Sequence, residues 1–102
     1  MTDVQKKEKL QSLIDKNTGR ESNYYDCLSD MGDLKGNYYD YLKTRPMDAT
    51  KELTRLPDAD YEVCAALLTM VLRENHFCNG SFGQRYQNGE VTRILQRMID
   101  LL

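Results

Sequence analysis

Ten consecutive residues, Val63-Cys64-Ala65-Ala66-Leu67-Leu68-Thr69-Met70-Val71-Leu72, carry no charge. Helical spacing places apolar side chains on every side of this run, so neighbours must surround it. Asp58-Ala59-Asp60 precedes it with acceptors for the first-turn amides and negative charge for the positive helix end. A central helix over about residues 59–75 is predicted, with the rest of the fold built around it. At ten residues the run is far short of the roughly 20 that a membrane span needs.

The flanking segments read as helices. Thr2 or Asp3 caps a first helix over residues 3–15, with Val4, Leu10, Leu13 and Ile14 as a narrow apolar stripe and Asn17-Thr18-Gly19 as the stop. Asn23-Tyr24-Tyr25-Asp26-Cys27-Leu28 then recurs 14 residues later as Asn37-Tyr38-Tyr39-Asp40-Tyr41-Leu42. Fourteen residues return a helix to within roughly 40° of the same face. Gly32 and Gly36 lie between the copies, and each costs a helix interior about 1 kcal/mol. Two short helices, each starting at an asparagine cap, are therefore expected.

Asp48 or Thr50 starts a further short helix, with Leu53 and Leu56 facing inward and Pro57 ending it. Ser81 caps another, which Asn88-Gly89 stops. Val91, Ile94, Leu95, Met98, Leu101 and Leu102 form the stripe of a last helix. No strand alternation occurs. The expectation is an all-α, compact bundle of four to six helices in one domain, residues 1–102.

Composition narrows the functions. A net charge of -2 argues against binding extended nucleic acid, which needs a cationic face. Three cysteines, an odd number, with no apolar leader at Met1-Thr2-Asp3-Val4 point to free thiols and a cytoplasmic setting. Cys64, His76 and Cys78 lack the short paired spacing of a zinc site, and Cys64 reads as a core residue. Neither a metal nor a cofactor is implied. His76, the only histidine, has no nucleophile or orienting acid in a recognisable motif, so no catalytic residue is assigned.

Two sets of residues remain as binding candidates. Arg73, His76, Phe77, Asn79, Ser81, Phe82, Arg85, Tyr86 and Arg97 combine guanidiniums, rings and a turn whose amides can meet an anion. Sharing one concave surface, they suit a nucleotide-type ligand. Scattered, they are a solvated basic face, with Arg73 paired to an acid such as Asp60 or Glu62. Tyr24, Tyr25, Tyr38, Tyr39 and Tyr41 form the second set. In each Tyr-Tyr pair one ring must point away from the core, which suits an oligomer interface, a ligand wall or ordinary boundary packing.

From about Tyr41 onward the chain resembles a small bacterial family, a domain of unknown function. The resemblance rests on Glu52-Leu53-x-Arg55-Leu56-Pro57-Asp58-Ala59-Asp60-Tyr61, on Leu72-Arg73-Glu74-x-His76-Phe77 with Asn79-Gly80-Ser81-Phe82 and Arg85, and on Gly89-x-Val91-x-x-Ile94-Leu95-x-Arg97-Met98. Residues 1–40 fall outside it. The resemblance implies proteins that stand alone or form tails on macro-domain or ADP-ribosylglycohydrolase types, and it brings no catalytic residues. The expectation is a non-enzymatic binding protein that recognises or sequesters an ADP-ribose-type nucleotide, as a phage anti-defence sponge would. The alternative is a protein-interaction module or inhibitor acting through the tyrosines.

Overall fold

The computed structural model describes residues 1–102. Six α-helices follow one another: α1 (Asp3–Lys16), α2 (Glu21–Met31), α3 (Ala49–Leu53), α4 (Tyr61–Phe77), α5 (Ser81–Gln87) and α6 (Glu90–Leu101). Two short 3-10 turns, Tyr38–Tyr41 and Leu56–Asp58, flank α3. The protein is thus all-α, as the apolar patterning requires.

The charge-free run forms the centre. Every residue from Cys64 to Leu72 is buried, and α2, α3, α5, α6 and the Tyr38–Tyr41 turn all pack on α4. Asp60 caps it by accepting from the Val63 amide at 2.8 Å. Inside, the Thr69 hydroxyl donates to the Ala65 carbonyl and accepts from the Lys35 amide, so the one polar side chain of the run is satisfied. Helix α6 buries Val91, Ile94, Leu95 and Met98 against α4 and α1. One cluster of 21 buried residues joins these helices, with Leu10 and Leu13 of α1 among them.

Four local expectations are corrected. Val4 is 65% exposed. Six residues separate it from Leu10, a turn of roughly 240°, so the inward face of α1 runs through Lys6, Leu10 and Leu13 instead. Leu101 is likewise exposed at the end of α6. Neither asparagine of the near-repeat caps with its side chain: Asn23 is the third residue of α2, where Thr18 Oγ1 accepts from the Arg20 amide, and Asn37 holds the N-cap position of the Tyr38–Tyr41 turn without a side-chain bond. The second copy is only the four-residue turn Tyr38–Tyr41, where arginines take the Tyr39 and Tyr41 carbonyls. Arg45 donates to the Tyr39 and Leu42 carbonyls and Arg55 to that of Tyr41, which ends the turn before a second helix can grow.

Asp48 caps α3 and Leu53 and Leu56 pack on the core, as expected, but the most buried side chain of α3 is Glu52. The carboxylate accepts from the Lys43 and Thr44 amides, the Thr44 hydroxyl and Arg55. Burial by itself raises the Glu52 pKa, but these donors outweigh it and hold the carboxyl at about 2.

Candidate functional site

The arginine set divides. Arg73, His76 and Phe77 stand at i, i+3 and i+4 on α4 and share its exposed C-terminal face. Glu74 lies about 100° round the helix from Arg73 and takes Arg85 to a different surface. There Arg85 meets Glu74 with two parallel bonds, 2.6 Å and 2.8 Å, and Glu90 with a third at 2.7 Å. These carboxylates raise the Arg85 pKa and saturate its fork. Arg97 is also committed: Nε and Nη2 donate to the Ala59 carbonyl at 3.1 Å and 3.0 Å, tying α6 to the Leu56–Asp58 turn. Neither arginine joins Arg73 on one surface.

The aromatic and turn residues divide as well. Phe82 is 2% exposed and packs edge-on against Tyr24, ring centroids 5.2 Å apart, in the core. The Tyr86 hydroxyl donates to Asn17 Oδ1 and so holds α5 against the end of α1. The Asn79-Gly80-Ser81 turn offers no free anion cradle. Asn75 Oδ1 accepts from the Gly80 and Phe82 amides, and the Cys78 carbonyl from that of Ser81. Ser81 is not the cap either: Gly80 holds the N-cap at φ 88°, and Ser81 Oγ is buried without a partner. Sequence reasoning missed Asn75, whose Nδ2 also donates to Glu21 of α2; an amide between Glu74 and His76 gives no local sign of such a role.

The tyrosines separate in the same way. Tyr24 is core, 1% exposed, its hydroxyl donating to the Thr18 carbonyl. Burial pushes its pKa up to about 12. Tyr39 is exposed beneath the Arg45 guanidinium, 4.3 Å from the ring centroid, and Tyr41 lies near Lys35. Tyr25 and Tyr38 instead come to the α4 terminus. Tyr25 OH bonds His76 Nε2 at 3.2 Å, and the Arg73 guanidinium lies 6.0 Å from the Tyr25 ring centre. Burial raises the Tyr25 pKa, with Arg73 acting against it.

Members of both sets therefore meet at one place. Gly36, Tyr38, Arg73, His76 and Phe77 line a hollow of about 300 Å³. Phe77 is 76% exposed, the most exposed large apolar side chain of the protein. Arg73 makes no ion pair. The arrangement presents a cation, an imidazole and three rings. No three His, Cys, Asp or Glu side chains gather closely enough to hold a metal ion. Nor is any helix long and apolar enough to cross a membrane.

Fold and site together define a small all-α domain with one aromatic and cationic surface at the end of its central helix. Residues 24–102 match the model of a family of unknown function, DUF6508, and the chain belongs to that family. The match opens at Tyr24, so both Tyr-Tyr-Asp segments fall inside it, well before the boundary near residue 41 that the resemblance suggested. Among curated proteins and among solved structures, nothing matches the chain.

Proposed function

We propose that this protein is a non-enzymatic interaction module that grips a partner protein through the end of α4, with Tyr25 and Tyr38 beside it. The observation that carries the reading is Phe77, a ring left 76% exposed beside Arg73 and the hollow. Burying a phenylalanine side chain is worth roughly 1.5–3 kcal/mol. Aromatic and arginine side chains side by side are what anchor protein interfaces. The protein's arginine–carboxylate clusters are engaged in holding the fold, which favours binding over catalysis. A quantitative pull-down from an extract of the source cells compares wild type with Phe77→Ser. A partner retained by wild type and lost by the variant is expected; identical profiles would sink the reading.

A second reading keeps the nucleotide-type ligand at the same place, and Arg73 favours it as a cation without a carboxylate beside a ring-lined hollow. Only Arg73, His76 and Phe77 of the nine ligand candidates then serve, with Tyr25 and Tyr38 added. A volume of about 300 Å³ accommodates a base or a phosphate group rather than a whole dinucleotide. ADP-ribose heads the ligand panel because the sequence resemblance implies relatives joined to macro-domain or ADP-ribosylglycohydrolase types. The ligand would be sequestered, not turned over. Native mass spectrometry with ADP-ribose, cyclic ADP-ribose, NAD and cyclic dinucleotides tests it. An intact adduct lost in Arg73→Ala supports it, and bare protein throughout removes it.

A further inference from the structure

We infer that the partner segment this surface receives is acidic: a carboxylate side chain meets Arg73, and an apolar or aromatic side chain next to it enters the hollow beside Phe77 and Tyr38. The inference rests on the interaction reading above and names the chemistry of the partner.

Charge carries the first part. The protein as a whole is net negative, -2, yet Arg73, the one cation lining the hollow, pairs with no carboxylate. Glu74, its neighbour in sequence, holds Arg85 instead. Glu21 of α2 accepts from the Asn75 side-chain amide at 3.0 Å. Arg73 is left with an open fork of donors, set over the Tyr25 ring and beside His76. A guanidinium poised on a ring loses less freedom on meeting a carboxylate than one that waves in solvent. Such a surface attracts acidic chains and repels basic ones.

Size carries the second part. Five residues line the hollow, and its volume of about 300 Å³ is at the small end of binding clefts. A stable pairing of two folded surfaces needs roughly 800 Å² per partner and 20–30 residues a side. A short segment with one side chain inserted is the occupant that this footprint fits. Tyr25, on α2, backs the guanidinium, while Tyr38 and Gly36 line the hollow with α4.

The test titrates a ¹⁵N-labelled sample of the full chain with an acidic heptapeptide bearing one central phenylalanine, its lysine counterpart, and the acidic peptide with serine at the centre. Saturable amide shifts confined to residues 25, 36–38 and 73–78 are expected from the first peptide only. Arg73→Gln and Phe77→Ser should each weaken binding about tenfold, with added salt weakening it further, and Arg93→Gln, an exposed arginine on α6, should not. Both test positions are exposed, so circular dichroism should be unchanged. No saturation at millimolar acidic peptide, equal shifts from the lysine peptide, or saturation by ADP-ribose in place of the peptide would each overturn the inference. The pull-down separates the two failures. A partner lost with Phe77→Ser but kept with Arg73→Gln sinks the acidic segment and leaves the interaction module standing, whereas a profile unchanged by both variants sinks both.

Discussion

Glu52 has no exposed surface, yet it remains ionised because four donors converge on it. Its folded pKa, about 2, lies below the ordinary value of 4.5. A depressed carboxylate contributes stability that is fully present above the unfolded pKa and lost as pH falls through the folded one. Unfolding free energies from urea titrations should therefore drop between about pH 4.5 and pH 2, by an amount on the order of 3 kcal/mol from this group. Glu52→Gln should lower stability near neutrality by roughly 3–5 kcal/mol, since Arg55 and two amides lose their anion, and should flatten the acid limb. An acid limb as steep as that of wild type would show that other carboxylates govern it. The two phenylalanines make a complementary pair. Phe82→Ala removes a ring packed on Tyr24 and should cost about 3–5 kcal/mol. Phe77→Ala should stay within roughly 0.5 kcal/mol in the same urea titration, because that ring is mostly in solvent.

At the scale of elements, α5 is a short helix whose start depends on a neighbour. Its first turn is capped by Asn75, a side chain of α4, which also reaches Glu21 on α2. One amide thus sets the position of three helices. Asn75→Ala should cost roughly 1–3 kcal/mol. Hydrogen exchange should quicken across Ser81–Gln87 and leave the buried half of α6 protected. Uniform acceleration along the chain would mean that α5 and the core open together. The sequence marks the end of α5 with Asn88-Gly89, but it points to Ser81 as the cap and does not disclose Asn75. That acceptor is five and seven residues away from the amides it serves and reaches them only after the chain turns.

Across the whole molecule, α1 lies ahead of the family match yet supplies part of the core. Leu10 is fully buried and Leu13 nearly so, and α1 packs on α6 and α2. Lys6 completes the attachment by pairing with Asp33 at 3.0 Å, which also accepts from the Tyr61 hydroxyl at 2.6 Å. A chain beginning at residue 18 strips this cover from α6 and α2. Each buried leucine removed costs about 2–5 kcal/mol, comparable in sum to the stability of a small domain. The shortened chain should lose its cooperative thermal transition, followed by near-ultraviolet circular dichroism. A sharp transition within a few degrees of the full chain would show that residues 18–102 are self-sufficient.

Fold class, the central helix and the stripe of α6 follow from the sequence by itself, because a charge-free run and a 3.6-residue apolar period each admit one kind of solution. The caps at Thr2, Asp48 and Asp60 are legible for the same reason: the acceptor and the amide it serves are three residues apart. Tertiary structure alone decided the site. Arg73 and Arg85 are equally basic in the sequence, but one side chain turns to Glu74 and Glu90 and the other to Tyr25. Tyr25 and Tyr38 join His76 and Phe77 although they come from separate segments. Partner choice among long polar side chains depends on distances across helices, and residue spacing along a chain does not encode those distances until the core has packed.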